Sequence, residues 1–157
     1  IWLPDLKYYS PILSRRYSQA EDYFAVASRA VEQMIRLTGP PEFGEYKDKR
    51  SGTACSILRK GVIIRHMVLP GHKDDSIRLL YWMKDTLPKG GFLISLMSQY
   101  TPFYRSADYP EINRRITTYE YEKALNTAIE LGLTDGFMQE KSSAKEEYTP
   151  PFELEGL

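Results

Sequence analysis

Four polar side chains stand at or near the ends of apolar, strand-like segments of this sequence. Asp5 and Lys7 close the first segment, and Arg65 lies within the second. Gln99 follows the third. Because the functional groups of parallel α/β sheets and barrels gather at the carboxyl ends of the strands, we expect these four side chains to line one site.

Asp5 and Lys7 offer opposite charges on the same side of their segment. Strand side chains alternate, so Asp5 and Lys7 share one face while Leu6 points to the other. A carboxylate and an ammonium that project together suit a zwitterion or a ribose, and a salt-bridged strand end without function is the alternative. Arg65 needs an anion, a carboxylate or solvent, because an unpaired guanidinium is costly to bury. Asp5 is a candidate partner.

The other polar side chains are weaker indications of a functional site. The Gln99 amide donates and accepts hydrogen bonds, which suits ribose hydroxyls or a base edge; a glutamine that only lines a turn is the alternative. His66 alternates to the face opposite Arg65, which predicts a hydrogen-bonded core histidine, and His72 lies in a loop. With two histidines and a single cysteine, Cys55, the sequence predicts neither a metal site nor a Cys–His nucleophile.

Helical and strand-like segments alternate along the chain and must position these side chains. Helices are predicted to begin at Ser18, with Glu21 in capping-box spacing, after Asp74-Asp75-Ser76, and at Thr117, with Glu120 in the same spacing. Strands are predicted over residues 1–7, 62–69, 92–97 and 136–139. The order βαβαβαβ predicts an α/β fold with parallel strands and right-handed crossovers. Residues 40–60 and the tail from residue 141 are predicted to be irregular.

The composition narrows the class of protein. The chain of 157 residues has 21 Lys and Arg against 21 Asp and Glu, so its formal net charge is zero. No long-range field then draws it to nucleic acid or to a membrane surface, and its apolar runs are far shorter than the roughly 20 residues of a membrane span. One cysteine permits no internal disulfide. Together with the lack of a signal-peptide pattern, this predicts a cytoplasmic protein.

Short stretches of the sequence together resemble one enzyme family. They read LPDLKYY at residues 3–9, GVIIRHMVLPG at 61–71, SLMSQYTP at 95–102 and DGFMQ at 135–139. They are similar to the pyruvate formate-lyase activating enzymes of the radical S-adenosylmethionine (radical SAM) superfamily, in particular the PflX-like branch. The resemblance implies the C-terminal half of a partial (β/α)6 TIM-type barrel. It also implies that Asp5 and Lys7 contact S-adenosylmethionine, with Arg65 beside cofactor and substrate.

Three features depart from the family pattern. The C-x3-C-x2-C motif that holds the [4Fe-4S] cluster and the Gly-Gly-Glu motif are absent, and Gln99 stands where the studied enzymes have a cofactor-contacting histidine. The resemblance implies that both motifs lie upstream of Ile1, and the 157 residues are fewer than the roughly 250 of a full (β/α)8 barrel. Residues 1–140 are then half of the barrel domain and 141–157 a tail. This fragment is expected to be inactive and to self-associate through the unpaired edge of its first strand.

The resemblance also implies a mechanism and partners for the parent protein. A reduced [4Fe-4S] cluster would pass one electron to the sulfonium of S-adenosylmethionine and cleave it to methionine and a 5′-deoxyadenosyl radical. That radical would take a hydrogen atom from a glycyl-radical enzyme or another protein substrate. Flavodoxin or ferredoxin would supply the electron, and no side chain of this half is expected to act as an acid or a base. The alternative is a self-sufficient α/β binding or interaction domain without radical chemistry. A barrel enzyme with phosphate loops is disfavoured, because no Gly-rich strand-to-helix turn is present.

Overall fold

The computed structural model describes residues 1–47 and 53–138. The helices are α1 (Pro11–Ser18), α2 (Tyr23–Thr38), α3 (Lys73–Thr86) and α4 (Thr118–Glu130), and a short 3-10 helix spans Tyr104–Asp108. The strands are β1 (Glu42–Lys47), β2 (Ala54–Lys60), β3 (Ile63–Met67), β4 (Leu93–Met97) and β5 (Gly136–Met138). The predicted tail at 141–157 lies outside the described residues.

The strands form two separate sheets. β3, β4 and β5 are parallel, with β4 in the centre, and β1 pairs with β2 as an antiparallel hairpin. The described residues form no closed barrel, and the antiparallel hairpin between α2 and β3 has no place in the order βαβαβαβ. The prediction of half of a (β/α)6 barrel with that order is therefore wrong. The hairpin arises within residues 40–60, which were predicted to be irregular. Most of its side chains are exposed on both faces, so it lacks the apolar alternation by which strands are recognised.

Residues 1–7 lie beside β3 but do not form the regular strand that was predicted. They are joined to it by two isolated parallel bridges, Trp2 with Val62 and Asp5 with Arg65. Pro4 lies between the bridges and has no N–H to donate to the ladder. The proline therefore interrupts a pairing that the apolar pattern alone suggested would be continuous.

The helices differ from the prediction in α1, which was not predicted, and at the starts of α2 and α3, the latter of which begins at Lys73, before Asp74-Asp75-Ser76. Ser18 was predicted to cap a long helix, but it ends α1, and α2 begins at Tyr23. The chain turns between these helices at Gln19, whose φ of 53° is left-handed. The capping box of Thr117 and Glu120 at the start of α4 is confirmed. No described helix combines the length and the apolar character that a membrane crossing requires.

The core lies between the helices and one face of the parallel sheet. Along β3 and its flanks, Val62, Ile64 and His66 are buried, whereas the alternating Ile63 and Arg65 are only half-buried. The buried set comes mainly from β3, β4, α3 and α4, with Leu6 from the N-terminal segment: Leu6, Val62, Ile64, Leu79, Leu80, Met83, Ile94, Leu96, Tyr121, Ala124 and Ala128. The opposite face of the sheet, called the open face below, carries Asp5, Arg65 and Ser95.

Candidate functional site

The open face carries an ion pair between two of the predicted site residues. Arg65 Nη2 lies 2.6 Å from Asp5 Oδ1, and the two residues are also bridge partners. The arginine side chain is 41% exposed and the aspartate 39%, so the pair is open to solvent and its contribution to stability is small. Parallel pairing in register places Ser95 of β4 directly beside Arg65. The Asp5–Arg65 pair therefore provides fixed charges on a surface that a ligand can reach.

One hydrogen-bond donor of this pair is not satisfied. Arg65 Nε is buried and has no hydrogen-bond partner among the described residues. A buried donor without an acceptor is unfavourable by about 1 to 3 kcal/mol. An acceptor from a bound molecule would relieve this cost.

Lys7 and Gln99 lie at the same end of the sheet but are not bonded to the pair. Lys7 is exposed, and its ammonium forms no ion pair with any described residue, while its backbone N–H donates to Tyr23 Oη at 2.8 Å. Gln99 is exposed two residues beyond the end of β4. The structure thus brings Asp5 and Arg65 together and leaves Lys7 and Gln99 as free polar groups beyond the strand ends.

His66 is a core residue, as its position in the sequence predicted. Its Nδ1 lies 2.7 Å from the Leu6 carbonyl and its Nε2 2.8 Å from Ser76 Oγ. A carbonyl only accepts, so Nδ1 carries the proton and Ser76 donates to Nε2. Burial lowers the pKa of the imidazole, which keeps it neutral. His66 thus ties the N-terminal segment to β3 and α3.

We predict that His66→Leu lowers the free energy of unfolding by about 2 kcal/mol, because the Leu6 carbonyl and Ser76 lose a buried partner. Since the folded-state pKa is lowered, the wild type should also lose stability as the pH falls below about 6.5. The variant should lose less over this range, and the part that remains comes from groups such as His72, whose pKa burial also lowers. Urea unfolding across that pH range measures both effects. Ser76→Ala, which removes only one bond, is the milder comparison. Equal stability of His66→Leu and the wild type would contradict the prediction.

A second polar cluster, which the sequence did not indicate, lies just beyond the carboxyl end of β3. Tyr17 Oη is 2.7 Å from His72 Nε2 and 2.8 Å from Glu111 Oε1, and Arg16 Nη2 binds the same carboxylate oxygen at 2.7 Å. These residues are separated by up to 95 positions, so no local pattern joins them. Only the loop position of His72 after Pro70 and Gly71 hinted at this place.

The protonation states of the side chains determine which group donates in each hydrogen bond of this cluster. The backbone N–H of Glu111, with Tyr17 and Arg16, lowers the pKa of the Glu111 carboxyl to about 2, so it accepts the single hydroxyl proton of Tyr17. Burial and the bond to Glu111 raise the pKa of Tyr17 to about 12. His72 Nε2 must then donate to Tyr17, and because burial lowers the pKa of the imidazole and favours its neutral form, Nδ1 is the unprotonated nitrogen. The cluster joins α1 to the loop before α3, and we assign it a structural role.

Metal binding has no visible basis in the described part of the chain. No three His, Cys, Asp or Glu side chains are grouped there as a metal site requires. Cys55 is exposed on the hairpin, where its Sγ contacts the Tyr46 carbonyl. The groups suited to a cofactor are therefore the charged and amide side chains of the open face and its carboxyl end.

Comparison with known proteins gives little functional information. No family model matches the chain, and no solved structure matches it. The chain is 29% identical over 130 residues to an uncharacterized protein of Methanocaldococcus jannaschii. The match covers 82% of this chain but only 31% of that protein. The chain thus spans about a third of the length of this relative.

Proposed function

We propose that this chain is part of a radical S-adenosylmethionine enzyme similar to the pyruvate formate-lyase activating enzymes. The observation that carries the proposal is the Asp5–Arg65 ion pair on the open face of a parallel sheet, two residues before the Lys7 ammonium, which pairs with no described residue. The [4Fe-4S] cluster would be held by cysteines outside this chain. When the cluster and S-adenosylmethionine are both bound, they would supply the radical chemistry that removes a hydrogen atom from the substrate.

The described residues fit the chemical groups of S-adenosylmethionine. The cofactor has a zwitterionic amino acid end, a ribose and a base, so it needs groups of both charges and neutral hydrogen-bonding groups. The Lys7 ammonium is free to bind a carboxylate, and Asp5 is free to accept from ribose hydroxyls or an ammonium, because its pair with Arg65 is half exposed. The unsatisfied Nε–H of Arg65 requires an acceptor, and the exposed Gln99 amide suits a ribose or a base edge.

We assign binding and orientation to these residues, and no proton transfer. Asp5 and Arg65 fix one another, so the charge that each presents has a defined direction. The substrate would be a protein, for which a glycyl-radical enzyme is our first candidate. The electron would come from a flavodoxin or a ferredoxin. This part of the enzyme would thus contribute the orientation of the reacting groups.

The decisive experiment uses the longer protein of which this chain is proposed to be part. That protein is purified without oxygen and reconstituted with iron and sulfide. We expect cluster absorbance and formation of methionine from S-adenosylmethionine under reducing conditions. The 157-residue chain, treated in the same way, should remain colourless. A longer protein that lacks a C-x3-C-x2-C motif, or that carries it and neither binds nor cleaves S-adenosylmethionine, would refute the proposal.

We predict that Lys7→Ala in the longer protein weakens the binding of S-adenosylmethionine about 10- to 150-fold, because a charge-assisted hydrogen bond of about 1.5 to 3 kcal/mol is lost. Calorimetry of the reconstituted protein measures this. Lys84→Ala is the matched control, since Lys84 is an exposed lysine of α3, in the helix layer of the fold. If both variants bind as tightly as the wild type, Lys7 has no role in cofactor binding.

One observation favours the alternative of a binding or interaction domain without radical chemistry. The hairpin of β1 and β2 exposes large apolar side chains, with Phe43 at 56% and Tyr46 at 45%. Strand alternation puts these two rings on opposite faces of the hairpin, so each face offers one exposed aromatic group, a residue type that is enriched where proteins contact one another. A stable complex formed by a protein without the cysteine motif, and lost on Phe43→Ser, would support this alternative.

A further inference from the structure

The segment of Asp5 to Lys7 has one edge against β3 and one edge away from it. Toward β3, the Arg65 backbone N–H donates to the Pro4 carbonyl at 2.9 Å, and the Leu6 N–H donates to the Arg65 carbonyl at 2.9 Å. Backbone groups of successive strand residues point to opposite edges. The Asp5 carbonyl and the Lys7 N–H therefore point away from β3, where no described strand adjoins them.

A single tyrosine hydroxyl satisfies both of these groups. Tyr23, the first residue of α2, accepts a hydrogen bond from the Lys7 N–H at 2.8 Å and donates one to the Asp5 carbonyl at 2.8 Å. A residue of a parallel neighbouring strand bonds the same pair of groups, a carbonyl and the N–H two residues later, as Arg65 does on the other edge. The Tyr23 hydroxyl thus takes the place of a strand at this edge.

The surroundings of Tyr23 hold the hydroxyl in place and keep it protonated. Its ring packs edge-on against the ring of Tyr8, with 5.4 Å between centroids, and Tyr8 is itself buried. Burial raises the pKa of Tyr23, so the proton needed for the bond to Asp5 is present at neutral pH. Both bonds can therefore form together in the folded protein.

We propose that Tyr23 is a positioning residue that fixes the backbone of Asp5 and Lys7, and so the directions in which their side chains leave the chain. Without this bond pair the segment would be held from the side of β3, by its bridges, which Pro4 weakens, and by the bond of the Leu6 carbonyl to His66, and no described group would hold its outer edge. The expected effect of Tyr23 on the binding of S-adenosylmethionine rests on the proposed function, whereas its anchoring of the backbone does not.

Tyr23→Phe tests the proposal, because it removes the hydroxyl and keeps the ring. In the 157-residue chain, we expect the Lys7 amide to exchange with solvent at least about tenfold faster, since the one bond that it makes to a described residue is lost. The Arg65 Nε–H resonance should also shift, because Asp5 loses its fixed position. In the longer reconstituted protein, the dissociation constant for S-adenosylmethionine should rise about three- to tenfold.

Tyr8→Phe is the matched control. It also removes one tyrosine hydroxyl, which is 3.0 Å from Ser18 Oγ, but that hydroxyl does not touch the edge of the segment. In this variant, the exchange rate of the Lys7 amide and the affinity for S-adenosylmethionine should stay at wild-type values. Circular dichroism of both variants checks that each is folded.

The possible results separate this proposal from the proposed function. If the wild-type longer protein binds S-adenosylmethionine and Tyr23→Phe binds it equally well, the positioning role is wrong. If the wild type does not bind S-adenosylmethionine, the proposed function fails, and the Lys7 amide exchange rate and the Arg65 Nε–H resonance of the 157-residue chain decide whether Tyr23 anchors the segment. If both are unchanged in folded Tyr23→Phe, the proposal is overturned in either case.

Discussion

Leu96→Ala is expected to lower the free energy of unfolding by about 3 to 4 kcal/mol, a large share of the roughly 5 to 15 kcal/mol typical of a domain. Leu96 is completely buried on β4, the central strand of the parallel sheet. Strands on both sides and the helix layer limit how far the structure can relax into the space left by the side chain. The loss of transfer free energy and the cost of the cavity therefore add.

Leu37→Ala is the matched control for this prediction. Leu37 lies on α2 and is 69% exposed, so the same chemical change removes few contacts. Its effect should stay within about 0.5 kcal/mol. Urea unfolding of both variants, with the slope checked against the wild type, gives the comparison. Similar losses from the two changes would show that the assigned core is wrong.

Glu120→Gln is expected to destabilise the protein by about 2 to 3 kcal/mol at neutral pH, because several charge-assisted hydrogen bonds converge on this carboxylate. It accepts from both terminal nitrogens of Arg114 at 2.7 and 2.9 Å, from the Gly71 N–H at 2.6 Å, and from the Thr117 N–H at 2.9 Å. Glu120 is almost fully buried, whereas Arg114 is 41% exposed, so solvent screens part of the ion pair. The carboxylate joins the start of α4 to the loop after β3.

The stability contributed by Glu120 should depend on pH in a defined direction. Arg114 above all, with the Thr117 and Gly71 N–H groups, holds the pKa of this carboxyl well below its usual range. A lowered folded-state pKa stabilises the protein above the unfolded-state value of about 4.3, and this stability is lost as the pH falls below it. The difference between the wild type and Glu120→Gln should therefore shrink in acid.

Unfolding free energies at neutral pH and near pH 3 measure this change. Glu130→Gln is the control, since Glu130 is an exposed carboxylate in the last turn of the same helix. It should change stability little at either pH. A gap between the wild type and Glu120→Gln that persists undiminished in acid would contradict the assigned role.

The sequence predicted much of the candidate site because strand alternation is a local property. It placed Asp5 opposite Leu6 and Arg65 opposite His66, and it named Asp5 as a partner for Arg65, all of which the structure contains. It also predicted a core role for His66. The use of these groups by a cofactor remains a prediction, because local periodicity fixes where a side chain points and not what it binds.

The elements that the sequence determined by itself are those whose signals lie within one turn or one strand. The start of α4 at its capping box and the apolar strands β3 and β4 need no distant partner to be recognised. The tertiary structure alone decided the break at Pro4, the exposed hairpin, the edge bonds of Tyr23 and the cluster around Tyr17. These depend on groups between 16 and 95 positions apart, or on which edge of a segment has a neighbour. Such contacts form only when the chain has folded, so their free energies leave no periodic trace in the sequence.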